Sequence, residues 1–500
     1  MDHLTDLFKF DTTTWILGGT LGVAFFMYDY WKKTAFQRNG VPGPIPLPLL
    51  GNALTFRRGF TSTITDLCEK YGKAFGVTFL SSKWLVVRDL ELIQQIMITQ
   101  FSSFPNHGPD NPFFQDNMMK SSVVVLSDMK WKDARNSMTP AFSGSKLKQM
   151  TPIMTDCCDN LLAKIEELQN QSDFIQCKEL FGAFTIDVVA ATFFGLQLNS
   201  QQNPKDPFVQ YAREALAVNV FSFRYIAGSA FPLVGRFFDV IDYGLFPRHI
   251  KKFFTDLTNQ VIDSREKRKV RRREEDGNHG DDNHHHKKIQ FTNADITANT
   301  FTFFMAGYET TTSTLGFISY LLATNPDQQD KLIEEVDQHF PNGEPLTYET
   351  VNKMEYLEGV IKETLRLYPA SSLTDRYCEE STVIGGVTVP AQTVFIIPIY
   401  TIHHDPEIWE DPESFKPERF NKENNHKIHP MAWLPFGGGP RICLGMRLAM
   451  MEMKFGVVRI LQKYRFETCP ETEIPPVLNI STGLISHQMV SNFELFRENE

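Results

Sequence analysis

The stretch FGGGPRICLG, Phe436 to Gly445, gathers four glycines and one proline around a single cysteine, Cys443. Trp433-Leu434-Pro435 precedes it and ends any earlier element, and the helix-compatible run MRLAMMEMKFGVVRILQKY follows at once. Cys443 is therefore expected on a tight loop entering a helix. Unpaired backbone N–H groups and the positive end of the helix dipole favour a thiolate there. The glycines let backbone approach something flat and bulky, and Arg441 holds out a fixed fork to a carboxylate. Thiolate, close approach and carboxylate clamp together suit haem, with its iron and propionates. Three plainer readings compete: a small buried cysteine, a simple turn, and a phosphate-cradling loop. The last lacks the Gly-Lys-Ser/Thr that should follow.

At this point the chain resembles a known family. Phe436, Gly439, Arg441, Cys443 and Gly445 match the cysteine-ligand signature of the cytochrome P-450 superfamily. Further motifs follow in the family's order. AGYETT, Ala306 to Thr311, lies in a stretch expected to be one long helix from Asn293 to Ala323. ETLRLYP supplies Glu363 and Arg366, FKPERF supplies Arg419, and Trp131 and Arg135 stand four residues apart on one helix face. AGYETT, KMEYL, PERF and LPFGGGPR look most like the microsomal family-3 enzymes that oxidise drugs and steroids. The fold implied is mainly α with a smaller β part, a long central helix over haem b, and an N-terminal membrane anchor helix.

The resemblance assigns roles by position. Cys443 would be the axial ligand of the haem iron. Arg441, Trp131, Arg135, Arg376, Phe436 and Ala306 would hold the cofactor. Ala306 and Gly307 are small enough for dioxygen to fit against the helix. The Thr310 hydroxyl can bond the carbonyl one turn back and loosen the helix, while Glu309 relays protons. Phe113, Phe114, Ser371, Ser372, Leu373 and Leu484 would line the substrate pocket, and Glu363, Arg366 and Arg419 would form a buried ion cluster behind the haem. An exposed ion pair is the plainer reading of Glu363–Arg366. One departure stands out: the arginine expected in FSSFPNHGP is absent, and His107 is the candidate to replace it.

Composition is that of a globular chain, 42% hydrophobic and 22% charged over 500 residues, long enough for a large core. A net charge of −10 argues mildly against general nucleic-acid binding. Phe dominates the aromatics, 42 against 14 Tyr and 6 Trp, which is consistent with extensive apolar packing and with an apolar ligand cavity. Seven cysteines without a CxxC pair fit a reducing compartment better than a disulfide framework.

Three segments divide the chain: an anchor over 1–33, a proline-rich hinge over 34–52, and a catalytic domain over 53–500. Thr12 to Tyr28 carries no charge and lies at the short end of the ~17–25 residues a spanning helix needs. Lys32, Lys33 and Arg38 after it would place the C-terminal side in the cytosol, so the reading is a single-pass protein of the endoplasmic reticulum membrane. KAFGVTFLSSKWLVVRD alternates as a hairpin about Ser81-Ser82, and the charged, His-rich 265–288 stretch reads as a solvated loop. His403 and His404 are not assigned as metal ligands.

The chain has no flavin or nicotinamide fingerprint, so the resemblance implies electrons from NADPH–cytochrome P-450 reductase, with cytochrome b5 as a helper. Lys130, Lys132, Lys416 and Lys422 are candidates for the docking face. The reading is an NADPH-dependent monooxygenase for a small apolar substrate. A peroxide isomerase resembling thromboxane synthase and a non-catalytic haem carrier or gas sensor are the alternatives.

Overall fold

The computed structural model describes residues 12–109, 116–171, 174–203, 205–216, 227–228, 232–275, 291–341, 343–479, 486–487 and 492–497. Phe113, Phe114 and Leu484 lie outside the described residues.

The fold is mainly helical. Seven helices matter here: α1 (Thr12–Lys33), α2 (Asp128–Met138), α3 (Gly144–Gln169), α4 (Cys177–Val189), α5 (Asn293–Thr324), α6 (Glu355–Leu367) and α7 (Met446–Leu461). Leu161 and Ile165 of α3, Phe184 of α4, Leu315 and Ile318 of α5, Val360 of α6 and Val458 of α7 share one buried core. A second cluster is aromatic. Phe208, Phe246, Phe254, Phe301 and Phe304 pack together above the first half of α5, with Phe254 and Phe304 stacked at 5.2 Å. The excess of phenylalanine is used there.

α5 begins on a capping box, Thr292 Oγ1 accepting from Asp295 N–H while the Asp295 carboxylate accepts from Thr292 N–H. It is rich in threonine yet buried. Four of the hydroxyls are satisfied internally, those of Thr297, Thr302, Thr310 and Thr314 each donating to the carbonyl four residues back. The buried Thr312 hydroxyl has no hydrogen-bond partner among the described residues. The expected loosening at Thr310 does not occur. The bond is made, at 2.5 Å, and the helix continues through it.

A four-stranded sheet stands beside the helices. Its strands, β1 (Ala74–Phe79), β2 (Ser82–Val87), β3 (Thr374–Cys378) and β4 (Thr393–Ile397), lie in the order β1-β2-β4-β3. β2 runs parallel to β4, with Trp84 opposite Val394, and β3 antiparallel to it, with Arg376 opposite Phe395. The hairpin turns at Leu80-Ser81, one residue earlier than expected, because Phe79 pairs with Ser82 and Leu80 takes φ +53°.

α1 forms, but the spanning reading is not upheld. Among the described residues no helix is long and apolar enough to cross a membrane. Four threonines, three glycines and Asp29 dilute the apolar run of α1. Its end is docked instead: Lys33 is buried beside Asp29 at 2.6 Å, and its carbonyl accepts from the Thr78 hydroxyl. Residues 41–52 pack on β1, where a Cβ on Gly43 would sit 2.0 Å from the Gly76 carbonyl oxygen. The 265–288 stretch also differs from its loop reading. A helix over Arg248–Glu275 includes its first part, and residues 276–290 lie outside the described residues.

Candidate active site

A cavity of about 350 Å³ opens between α5 and the Phe436–Gly445 loop. The loop's path is fixed by its glycines. Gly437 and Gly439 have φ +70° and +67°, and a Cβ on Gly439 would stand 2.0 Å from the Met97 carbonyl oxygen. Cys443 N–H then closes the loop onto the Phe436 carbonyl at 2.9 Å. These constraints aim the Cys443 side chain into the cavity.

Cys443 is exposed, but to this cavity; its surroundings are deep in the protein. The sequence argument for a thiolate is therefore corrected in its balance. Burial raises the thiol pKa, and the Gly445 and Met446 N–H groups and Arg135 only partly offset it. A metal would have to displace the proton.

The opposite wall is α5, which presents Ala306, Gly307, Thr310, Thr311 and Thr314 to the cavity. Glu309 is not part of that wall. Its carboxylate points to Lys178 of α4, Oε1 3.8 Å from Nζ. Trp131, Arg135, Phe436 and Arg441 line the cavity as expected, and so do Ser371 and Leu373. Ser372 does not: it is buried and accepts a hydrogen bond from the Thr61 hydroxyl at 2.8 Å. Arg376 stands behind the wall, donating to the carbonyls of Asp375 and Gly438, with its Nε unpartnered.

The wall is rich in positive charge. The Arg441 guanidinium stacks on Trp131 at 4.0 Å and donates to the carbonyls of Pro105 and Leu126. Burial and the nearby guanidiniums of Arg376 and Arg135 push its pKa down to about 9. Burial pushes Arg376 down to about 10, against the pull of Asp375. Burial also lowers Arg135. Asp375 ties His107 to this group, Oδ1 3.0 Å from Nδ1, and accepts from Gly108 N–H on its other oxygen. Burial opposes the charge on Asp375, but His107, Gly108 and Arg376 outweigh it and hold its carboxyl below the usual range. Three guanidiniums, Arg376 buried and Arg135 and Arg441 half-buried, thus face few anions. A dianionic, flat group with a metal centre fits: propionates for the cations, a thiol for the iron, glycine backbone for the ring.

Behind the loop, Glu363 is fully buried. Arg366 grips it through two bonds, Nε–Oε2 2.8 Å and Nη2–Oε1 2.9 Å, and Arg419 Nε adds a third at 3.2 Å. The exposed-pair reading is excluded. Arg366 also donates to the His403 carbonyl. The His403 ring joins this cluster to the cysteine loop, Nδ1 on the Arg366 carbonyl and Nε2 accepting from Leu434 N–H. Burial, then His404 and Arg366, push its pKa down to about 3. It is a neutral strut and not a metal ligand.

Sequence reasoning missed Asp375, whose sign beside Arg376 was a usable signal, and Glu452, a lone carboxyl in the apolar run of α7. It also missed Thr314, which the repeat of threonine at four-residue spacing marks.

Comparison with known proteins agrees with this geometry. The Cytochrome P450 family model matches residues 41–491. Cytochrome P450 3A29 of Sus scrofa is 36% identical over 471 residues, covering 93% of each chain. Cytochrome P450 3A7 of Homo sapiens is 35% identical over 482 residues, 95% of each, and Cytochrome P450 3A41 of Mus musculus 37% over 468 residues, 92% of each. With a cysteine, a row of guanidiniums and a threonine-lined helix around one slot, and likeness of this extent, the chain belongs to the cytochrome P450 family of haem b monooxygenases.

Proposed function

We propose that the protein is an NADPH-dependent monooxygenase acting on an apolar organic substrate of the steroid, fatty acid or xenobiotic kind, with Cys443 as the axial ligand of its haem. The observation that carries this is the Cys443 side chain, aimed by two left-handed glycines into a slot walled by α5. Bound haem supplies the iron that activates dioxygen, and a thiolate ligand favours O–O cleavage.

The chain's own residues do the rest. Arg135, Arg441 and Arg376 carry the charge that holds and orients the propionates, with Trp131 bracing Arg441. Val123, Phe142, Phe193 and Leu373 make an apolar cavity wall that excludes bulk water. Thr310 holds a proton at Oγ1, bonded to the Ala306 carbonyl. Glu309, paired with Lys178 on the far side, passes protons inward when that pair opens. Electrons come from NADPH–cytochrome P-450 reductase, with cytochrome b5 as a second donor. Exposed Lys130 and Lys132 on α2 form part of the docking face. The protein works at the cytosolic face of the endoplasmic reticulum, attached through the exposed Trp15, Leu21 and Phe25 of α1.

The test is the reduced carbonyl complex. Wild type should absorb at the long-wavelength Soret position of thiolate-ligated haem, and Cys443→His should shift the band to that of imidazole-ligated haem. An unshifted band in the variant overturns the ligand assignment.

A further inference from the structure

Asn299 stands on α5 two turns before Ala306 and does not itself line the cavity. It is 4% exposed, and both ends of its amide are bonded. Oδ1 accepts from Val123 N–H at 2.8 Å. Nδ2 donates to the Ser121 carbonyl at 3.1 Å and to the Asp295 carbonyl, one turn back, at 2.8 Å. An amide suits this place because it offers an acceptor to an N–H and two donors to two carbonyls. A leucine would suit a buried helix face as well, but would leave the Val123 N–H and the Ser121 carbonyl unmet.

The loop that Asn299 holds carries part of the active-site wall, because Val123 and Val124 both line the cavity. The Val123 carbonyl accepts from Arg441 Nη1 at 3.4 Å, and the Leu126 carbonyl accepts from Arg441 Nη2 at 2.9 Å. Val123 is thus hung between α5 and the cysteine loop, its N–H bonded to one and its carbonyl to the other. The outer end of the loop is pinned as well. The buried Asp116 carboxylate accepts from Met118 N–H at 2.9 Å and from Phe246 N–H at 3.0 Å. Backbone tied at three points in this way keeps the side chains it carries in one place.

We propose that Asn299 is a positioning residue for ligand selection. Through the loop backbone it fixes Val123 and Val124 against the cavity, and so sets which large apolar molecules fit there. Asn299 touches neither substrate nor cofactor. The choice of ligands rests on the haem monooxygenase reading, whereas the hold on the loop does not.

Two measurements test this. The first needs neither haem chemistry nor a substrate: hydrogen exchange over residues 119–126 in wild type and in Asn299→Ser. Serine can bond the Asp295 carbonyl as the neighbouring threonines bond theirs, so α5 keeps its structure. It is too short to reach Val123 or Ser121. Amides of this segment should exchange at least about tenfold faster in the variant. Asn299→Leu, which fills the space without a hydrogen bond, should do the same. Unchanged exchange in both variants overturns the proposal.

The second measurement is an optical titration with two nitrogen ligands of haem iron. One is imidazole, and the other is clotrimazole, an imidazole bearing three aryl rings that must pack on the wall. Haem content and the carbonyl band should stay as in wild type. Asn299→Ser should weaken clotrimazole about three- to tenfold, as ordering an unpinned wall costs, and leave imidazole within about twofold. A merely structural loss would move both ligands or lower the haem content. In a Val123→Ala, Val124→Ala background the same change should weaken clotrimazole by less than about twofold. An unchanged ratio of the two constants, or the full loss retained in that background, overturns the proposal. Wild type without the thiolate band overturns the haem reading instead, and the exchange result then still decides what Asn299 holds.

Discussion

On the proposed function, Thr310 carries the one hydroxyl that decides the fate of electrons. It touches the cavity and carries a short bond to the Ala306 carbonyl. Thr310→Ala removes that hydroxyl without disturbing the loop that carries Cys443. Haem content and the carbonyl spectrum should stay as in wild type, and NADPH should still be consumed. Product per NADPH should fall, with peroxide making up the difference, and the loss should stay below ~10²-fold because water partly replaces the hydroxyl. Equal yields of product per NADPH in both proteins would remove Thr310 from its role. An isomerase would turn over an endoperoxide without NADPH whatever stands at 310. At this scale placement was legible where chemistry demands one residue type: Cys443 and Thr310 do line one cavity, and Glu363 does sit in a buried ion cluster. It was illegible where a role depends on a partner far along the chain. Nothing local to Ser372 announces that Thr61 takes it out of the pocket, and nothing local to Glu309 announces Lys178.

Elements were read best where they carry their own punctuation. The capping box at Thr292 and the apolar run behind it place α5 within a residue of expectation. The sequence also divided the Phe436–Gly445 loop correctly from α7, because glycine and proline exclude regular structure. The reason for each glycine was not readable: Gly439 is required by the Met97 carbonyl, which lies more than three hundred residues earlier in the chain. Gly439→Ala should force the loop off that carbonyl and hold a left-handed residue at a cost of at least about 1 kcal/mol. The expected outcome is a protein with a reduced haem-bound fraction and a melting temperature lower by about 1–2 °C, the shift that 1–2 kcal/mol produces in a domain of this size. Purification of the variant with full haem and an unaltered melting curve would show that the loop can relax. α1 failed at the same scale for a different reason. A charge-free stretch is easy to see, but crossing a membrane depends on summed hydropathy, which its threonines and glycines reduce.

The whole molecule keeps α1 apart from its cores. Trp15, Leu17, Phe25 and Trp31 are exposed, and attachment to the body is made by Asp29, Lys33 and the segment after them. Removal of residues 2–28 should therefore leave the haem spectrum and the melting temperature intact and release the protein from membranes into the soluble fraction. A truncated protein that still sediments with washed membranes would move the attachment elsewhere, with exposed Leu233 and Phe237 the next surface to examine.

The wall of the slot and the shell behind it are knitted from distant parts of the chain: Arg441 to Pro105 across 336 positions and His107 to Asp375 across 268 at the wall, and Thr61 to Ser372 across 311 behind it. Closing loops of that length is paid in entropy before any contact rewards it. During synthesis, residues 105–108 leave the ribosome long before the arginine and aspartate that will hold them, and they wait as exposed, half-apolar backbone. The helices around α3 and α4 can gather meanwhile. The slot cannot take shape until Arg441 has reached residues 105–106, and a chain halted anywhere before Cys443 is a scaffold with nothing to grip the iron.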